Sequence, residues 1–199
     1  MSWTESSMLA RVRALPLRRQ ISLTGQLLRG LLHYPIFDQK GYVMAGPGLR
    51  IRKRFGKIYL GRIVGFGPEV GISVVGQDAT RKAVLEIGAG THIRARTHIN
   101  CQERVSIGEH CGISWDVEIL DTDFHGVVGL DGTERPRQAP VMIGDRVWIG
   151  TRSIVLKGVT IGHDSIVAAG SVVTRSIPPH SLCAGNPAVV VKEVRGWRD

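Results

Sequence analysis

The chain has 199 residues, enough for one domain of ordinary size. Hydrophobic residues make up 43% and charged residues 22%, which excludes wholesale disorder, and no run of apolar residues is long enough to predict a membrane-spanning helix. The 25 glycines beside only 6% aromatic residues favour a fold with many tight corners around thin layers of β-branched side chains.

The net charge of +9 is concentrated at the N-terminus. Residues 1–60 carry eleven Lys and Arg against two acids, and the remaining residues are balanced. Apolar residues at helical spacing in 8–15 and 21–32 predict two short basic helices within an N-terminal segment of residues 1–45. These helices could pack on the rest of the chain or on a neighbouring subunit, or residues 1–60 could contact an anionic membrane or glycan. No nucleic-acid-binding motif accompanies the charge, so nucleic acid is not an expected partner.

The three cysteines and the first residues bear on the cellular compartment. Cys101, Cys111 and Cys183 are an odd number without CxxC spacing, so we expect reduced, buried thiols rather than disulfides or a zinc site. The first residues lack the uninterrupted apolar stretch of a signal peptide. Both observations predict a cytoplasmic protein, at the inner membrane face if the basic segment binds anionic lipid.

A six-residue repeat organises most of the chain. Every sixth residue is aliphatic and β-branched in three series, which are Ile87, Ile93, Ile99, Val105; Ile107, Ile113, Ile119; and Ile143, Ile149, Val155, Ile161, Val167, Val173. This period does not match a helix, and it suits a prism with three short strands per coil and aliphatic residues inside. We therefore predict irregular early coils at 46–86, a regular β-helix at 87–193 and a tail at 194–199.

Three elements of the last coils, VWIG, AAGSVVT and AGNPA, occur in that order between residues 143 and 188. With them, residues 85–193 resemble the hexapeptide-repeat acyltransferases, in particular the sugar O-acetyltransferases of bacterial glycan metabolism. The resemblance implies a mainly β fold, a left-handed parallel β-helix, and a homotrimer with active sites between subunits. It also implies an acyl-CoA donor, acetyl-CoA by default, a sugar or glycan acceptor, and no metal.

An interruption at residues 125–142 separates two coils of the repeat. Long excursions from a regular solenoid often carry function. In similar acetyltransferases a histidine at this point is the catalytic base, and here it is His125. An imidazole titrates near neutral pH, so it can take the proton of a sugar hydroxyl that attacks a thioester. Asp121 or Asp123 could orient the imidazole, or could form a turn at the corner of a coil.

The resemblance also assigns residues to the donor and the acceptor. Carried over by position, the donor residues are Thr151 after VWIG, Ala169 in AAGSVVT, the pair Thr174 and Arg175, and Lys192. Arg175 keeps a positive charge suited to phosphate, whereas Val189 stands where the family usually has an arginine. Asn100 corresponds to an asparagine near the acceptor sugar.

We therefore expect an acetyl-CoA-dependent O-acetyltransferase with direct transfer, since no Cys or Ser lies beside a base. Another acyl-CoA such as succinyl-CoA, or an amino-sugar acceptor, is an alternative. Two further alternatives come from other classes. A zinc protein similar to the gamma-class carbonic anhydrases would use histidines such as His92 and His98, and a non-catalytic scaffold would keep the prism without the activity.

Overall fold

The computed structural model describes residues 16–38 and 41–198, so the helix predicted at 8–15 lies outside the described residues. Helix α1 spans Leu17–Leu32 and is followed by a 3-10 turn at Tyr34–Ile36. The described residues after this turn form short strands. The mainly β architecture with one basic N-terminal helix confirms the predicted fold class.

Three parallel sheets form the faces of the prism. The first sheet contains β1 (Val43–Ala45), β4 (Val64–Phe66), β7 (His92–Ile93), β10 (Gly112–Ile113), β15 (Trp148–Ile149), β18 (Ile166–Val167), β20 (Ser181–Gly185) and β21 (Ala188–Glu193). The second sheet contains β2 (Arg50–Arg54), β5 (Gly71–Val75), β8 (His98–Cys101), β11 (Glu118–Leu120), β16 (Ile154–Val155) and β19 (Val172–Val173). The third sheet contains β3 (Gly56–Leu60), β6 (Ala83–Ile87), β9 (Arg104–Ile107), β14 (Val141–Ile143) and β17 (Thr160–Ile161). Two antiparallel hairpins interrupt this pattern, β12 (Val127–Val128) with β13 (Glu134–Arg135), and β20 with β21.

The hexad residues fill the interior of the prism, as predicted. In the first sheet Ile93, Ile113, Ile149 and Val167 are consecutive partners in one ladder. None of these four side chains is more than 1% exposed. Because each coil covers the apolar residues of the next, the stack of coils forms one continuous left-handed β-helix.

Small polar residues close the corners between the sheets. Thr97 is fully buried four residues after Ile93. Its hydroxyl donates to the carbonyl of Ser114 at 2.8 Å and accepts from the N–H of Val117 at 3.2 Å. Within the described residues, no buried side-chain nitrogen or oxygen lacks a hydrogen bond. The corners therefore turn the chain without leaving polar groups unsatisfied.

Residues 46–86 are the segment that we predicted as irregular early coils. Their strands join the same three sheets, and Ile51, Ile72 and Ile99 form one ladder in the second sheet. In the first sheet Ala45 pairs with Phe66 and Phe66 with Ile93, so these coils are 21 and 27 residues long rather than 18. Longer strands and an inserted turn remove the six-residue spacing while the inward and outward alternation persists.

Helix α1 packs against the first coil with one face. A Cβ on Gly30 would lie 2.0 Å from the carbonyl oxygen of Val43, so the helix and β1 touch where this side chain is missing. Arg29 donates from Nε to the carbonyl of Ala45 at 2.9 Å. The opposite face exposes four apolar side chains, Ile21, Leu28, Leu31 and Leu32. No helix in the described part of the chain is long and apolar enough to cross a membrane.

Candidate active site

The chain leaves the prism between β11 and β14, and we call residues 121–140 the excursion. A polar cluster from three coils holds its base, where the chain leaves and rejoins the prism. Thr122 and Gln138 form an antiparallel bridge across it. Both side chains donate to Oε1 of Gln102, Thr122 at 3.2 Å and Gln138 at 2.9 Å. Gln77 donates in turn to Oε1 of Gln138 at 2.6 Å. The residues at the start of the excursion are therefore tied to the solenoid.

Asp121 is part of the frame beneath the excursion. Its side chain is fully buried, and its two oxygens accept the backbone N–H groups of Gln102 and Glu103, each at 2.7 Å. Burial raises the pKa of this carboxyl, against the opposing effect of those two donors. Both oxygens are occupied by a corner of the preceding coil, which corresponds to the turn-forming alternative for Asp121.

Asp123 and His125 lie on the outer side of the same base. Lys157 lies 2.5 Å from Oδ2 of Asp123 and donates to the carbonyl of Pro136, also at 2.5 Å. Lys157 thus holds both ends of the excursion, at Asp123 and at Pro136, against the next coil. Phe124 adopts a left-handed conformation with φ of 61°, and His125 follows it with an exposed side chain. The imidazole is therefore accessible from solvent.

Asn100 lies in the second sheet, close to this base. It pairs with Leu120 of β11, and its carbonyl accepts the N–H of Asp121 at 3.2 Å. Its side chain is on the outer surface and half-buried, in register with Ser73 of β5. The fold therefore brings Asn100 next to the strand end from which the excursion starts.

The residues assigned to the donor form more than one group. Thr151 and Ala169 lie at the corner between the first and second sheets, where the carbonyl of Thr151 accepts the N–H of Gly170 at 2.8 Å. Thr174 and Arg175 are exposed after β19, at the next corner of the prism.

The remaining residue that the resemblance assigns to the donor lies on the last hairpin. Lys192 is exposed on β21, opposite Leu182. Val189 is 61% exposed on the same strand, so the departure from the family's arginine lies at the surface.

Sequence reasoning missed a cavity of about 870 Å³ on the outer face of the first sheet. Outward residues of successive strands form the ladder Gly65, His92, Gly112 and Trp148, in which glycine alternates with a ring. A Cβ on Gly65 would lie 2.3 Å from Nδ1 of His92, so the glycine makes room for the imidazole. The available signal was this alternation, but it becomes visible only when the register between coils is known.

The C-terminal residues form one wall of this cavity. Trp197 donates from Nε1 to the carbonyl of Arg146 at 2.9 Å, and its ring lies 6.3 Å from that of Trp148. A Cβ on Gly112 would come 2.9 Å from Cη2 of Trp197. The missing side chain at Gly112 therefore lets the described part of the predicted tail, residues 194–198, fold back over the sheet.

The histidines named in the metal alternative do not face each other. His92 is on the first sheet and lines the cavity, whereas His98 is on the second sheet and its Nδ1 lies 2.7 Å from Glu118.

His163, Asp164 and His180 do form a cluster whose ligand atoms lie within 4.8 Å of one another. However, both oxygens of Asp164 accept from Arg146 at 2.7 Å, and this pairing lowers the pKa of the carboxyl. The guanidinium already supplies the positive charge that a cation would bring.

The three cysteines are buried and unpaired, as expected for reduced thiols. Burial raises the pKa of Cys111 to about 11 and moves those of Cys101 and Cys183 in the same direction.

Comparisons with known proteins agree with this architecture. Residues 140–175 match the family described as the hexapeptide repeat of succinyl-transferase. This part of the chain therefore resembles the hexapeptide-repeat family. Its predicted resemblance to the hexapeptide-repeat acyltransferases is thereby confirmed.

Individual relatives and structures extend the similarity. The chain is 47% identical over 110 residues to galactoside O-acetyltransferase of Escherichia coli (strain K12), a match that covers 55% of this chain and 54% of that protein. A hexapeptide-repeat acetyltransferase of Vibrio cholerae, crystallised with acetyl-CoA, shows a TM-score of 0.53 and 26% identity over 74% of this chain and 72% of its own. An N-acyltransferase of Bacillus cereus shares the fold at a TM-score of 0.68 and 22% identity, over 82% and 87% of the two chains. The chain thus spans about half the length of the galactoside O-acetyltransferase, and 29% of the putative acetyltransferase of Staphylococcus aureus (strain COL) that it also matches.

We predict that Asp121→Asn lowers the free energy of unfolding by about 1–3 kcal/mol, the usual cost of leaving a buried hydrogen-bonding group unsatisfied. Asparagine has one acceptor oxygen, whereas the backbone of Gln102 and Glu103 presents two donors. Urea unfolding at neutral pH measures the change.

Asp145→Asn is the matched control, because exposed Asp145 accepts the single N–H of Glu109 at 2.8 Å and an amide oxygen can do the same. Equal losses in the two variants would contradict a special role for Asp121 in the frame.

Proposed function

We propose that this chain is an acetyl-CoA-dependent O-acetyltransferase acting on a hydroxyl of a sugar or glycan. The observation that carries the proposal is the placement of His125, exposed at the start of an excursion whose base is tied to the solenoid. The similarity to galactoside O-acetyltransferase and to an acetyltransferase crystallised with acetyl-CoA supports the choice of acyl group and acceptor.

In the proposed reaction the imidazole of His125 takes the proton of the acceptor hydroxyl while the oxygen attacks the thioester carbonyl. A tetrahedral intermediate forms, and a backbone N–H of a neighbouring coil can stabilise its negative oxygen. The carbon–sulfur bond then breaks, and the leaving CoA thiolate takes the proton from the imidazolium. The products are the sugar ester and free CoA, and the histidine returns to its starting state.

The proposed transfer needs no acyl-enzyme. A cysteine nucleophile would have to be an accessible thiolate, yet all three thiols are buried with raised pKa values. The acceptor hydroxyl itself is therefore the nucleophile that His125 activates.

Asp123 and Lys157 act as positioning residues in this proposal. Their ion pair fixes the chain two residues before His125, and the bond from Lys157 to Pro136 fixes the returning segment. A base held by such contacts loses little conformational freedom when the substrate binds.

The proposed assembly is a homotrimer in which the excursion of one subunit reaches a second. The tip carries apolar side chains with large exposed fractions, 48% for Val127, 60% for Val128 and complete exposure for Leu130. Apolar groups concentrated on a projecting hairpin are typical of a surface that becomes covered by a partner. A second copy would also bring the donor corner of one chain towards His125 of the other.

The exposed face of α1 supports a peripheral membrane contact. Ile21, Leu28, Leu31 and Leu32 form its apolar side, and Arg18 and Arg19 are exposed in the first turn. An apolar face with basic flanks suits the surface of an anionic bilayer, and several copies on one assembly would add their weak attractions.

We expect His125→Ala to lower kcat by about 100-fold or more while the affinity for acetyl-CoA stays within about twofold, because the variant removes only the general base. The measurement is release of CoA thiol from acetyl-CoA across a panel of sugars, with donor affinity from calorimetry. His180→Ala, which removes another exposed imidazole, is the control. Equal activities in the two variants would contradict the assignment of His125.

The trimer is tested by sedimentation equilibrium. The wild type should sediment at three times the chain mass of 21.7 kDa. Leu130→Asp should shift the equilibrium towards monomer because it places a charge on the apolar tip, whereas Asp131→Asn beside it should not. A monomeric wild type at all concentrations rules the proposal out.

Membrane contact predicts co-sedimentation with vesicles that contain phosphatidylglycerol and little with pure phosphatidylcholine. Leu28→Glu with Leu32→Glu should abolish binding, since both charges would enter the apolar face of α1. Val190→Glu, which changes an exposed apolar position on β21, is the control. Equal binding to vesicles with and without phosphatidylglycerol would contradict the proposed membrane contact.

A further inference from the structure

The cavity on the first sheet has an unbalanced charge. Three arginines, Arg62, Arg94 and Arg198, line it together with His92 and His110, and the described residues that line it include no Asp or Glu. Ion pairs between described residues involve none of these three arginines. A concave surface lined by one sign of charge concentrates the electrostatic field, so the cavity attracts anions.

Flat rings make up much of the remaining wall. Three of the chain's four tryptophans, Trp115, Trp148 and Trp197, line the cavity with Tyr42. The indole N–H of Trp148 donates to Oγ of Ser114 at 3.1 Å, and that of Trp197 is bonded to the backbone. The polar edges of these two rings are thereby satisfied, and the rings offer apolar faces of the size of a sugar ring.

The cavity reaches the corner assigned to the donor. Trp115 lies one coil before Thr151 at this corner, because its carbonyl accepts the N–H of Arg152 at 3.0 Å. Ala169 lies one coil further on, next to the Gly170 that bonds to Thr151. Arg94, whose guanidinium carbon is 6.0 Å from the centre of the Trp115 ring, belongs to the same corner. An occupant of the cavity would therefore lie beside the predicted path of the pantetheine arm.

We propose that this cavity binds the acceptor and that the acceptor is an anionic sugar, with a carboxylate or phosphate group held by Arg62 and Arg94. The inference rests on the proposed acetyl transfer in the proposed trimer, where His125 of a second copy lies towards this corner, and adds the substrate class to it. An arginine fork binds either anion through two parallel hydrogen bonds, and the tryptophan rings receive the apolar face of the sugar. Leu23 and Leu27 of α1 line the cavity and add an apolar surface to it.

The charge requirement is tested by calorimetry on the full chain with two ligand pairs, each of which has one anionic and one neutral member. Methyl glucuronide and its uncharged amide test the carboxylate, and galactose 6-phosphate and galactose test the phosphate. At least one anion should bind about tenfold or more tightly than its neutral partner, and raising NaCl from about 50 to about 300 mM should reduce the advantage. Equal binding of both members in both pairs overturns the proposal, as does no binding of any of the four.

The site is tested by the double variant Arg62→Gln with Arg94→Gln. It should lower the affinity and kcat/KM for the preferred anion by about tenfold or more, down to the level of the neutral partner, with unchanged acetyl-CoA binding. Arg54→Gln is the control, since this exposed arginine is on β2 of the second sheet and does not line the cavity. An equal loss for charged and neutral ligands overturns the proposal.

The outcomes separate this inference from the proposed function. If neutral sugars are acetylated as fast as anionic ones and the reaction still depends on His125, the proposed acetyltransferase activity is supported. The proposed anionic acceptor is then contradicted. Arginine-dependent anion binding without any acetyl transfer would retain the anion site and remove the acetyltransferase.

Discussion

The parallel, in-register stacking of coils is the constraint on which the rest of the structure depends. Ile113 lies between Ile93 and Ile149 in one ladder, and the same register places Gly112 between His92 and Trp148 on the outside. A position that is inward in one coil is inward in its partners, because strands that pair in parallel keep their pleat in phase. Residues at the same register position of successive coils therefore all face the core or all face the surface. A row of such outward residues can form a binding surface.

The sequence allowed the interior of the prism to be predicted better than its beginning. The hexads from Ile87 to Val173 require only a period within a single stretch of chain, and their side chains are buried. Coils before Ile87 bury residues such as Ile58 and Ile72 equally well. Their strands are longer and their coil lengths unequal, so burial there follows the alternation along each strand rather than a fixed spacing.

The sequence predicted only those parts of the candidate site that a local pattern within one stretch of chain specifies. The break in the repeat located the excursion and His125, but not the burial of Asp121, because its partners at Gln102 and Glu103 belong to the preceding coil. The cavity was missed for the same reason. Its ladder joins residues that are 20 to 36 positions apart, and no local pattern specifies which residues become neighbours.

The distribution of charge over the solenoid also depends on which residues the stacking of coils makes neighbours. Beyond residue 60 the chain has as many acids as bases, which from composition alone suggests a neutral surface. The stacking distributes these charges unevenly, because acids at the corners pair with basic residues one coil away, as in Arg96 with Asp116 and Arg146 with Asp164. Arg62 and Arg94 face the cavity without such an ion-pair partner among the described residues. The part of the chain beyond residue 60, although balanced in sum, thus places positive charge in the cavity, where an anionic acceptor would gain from it.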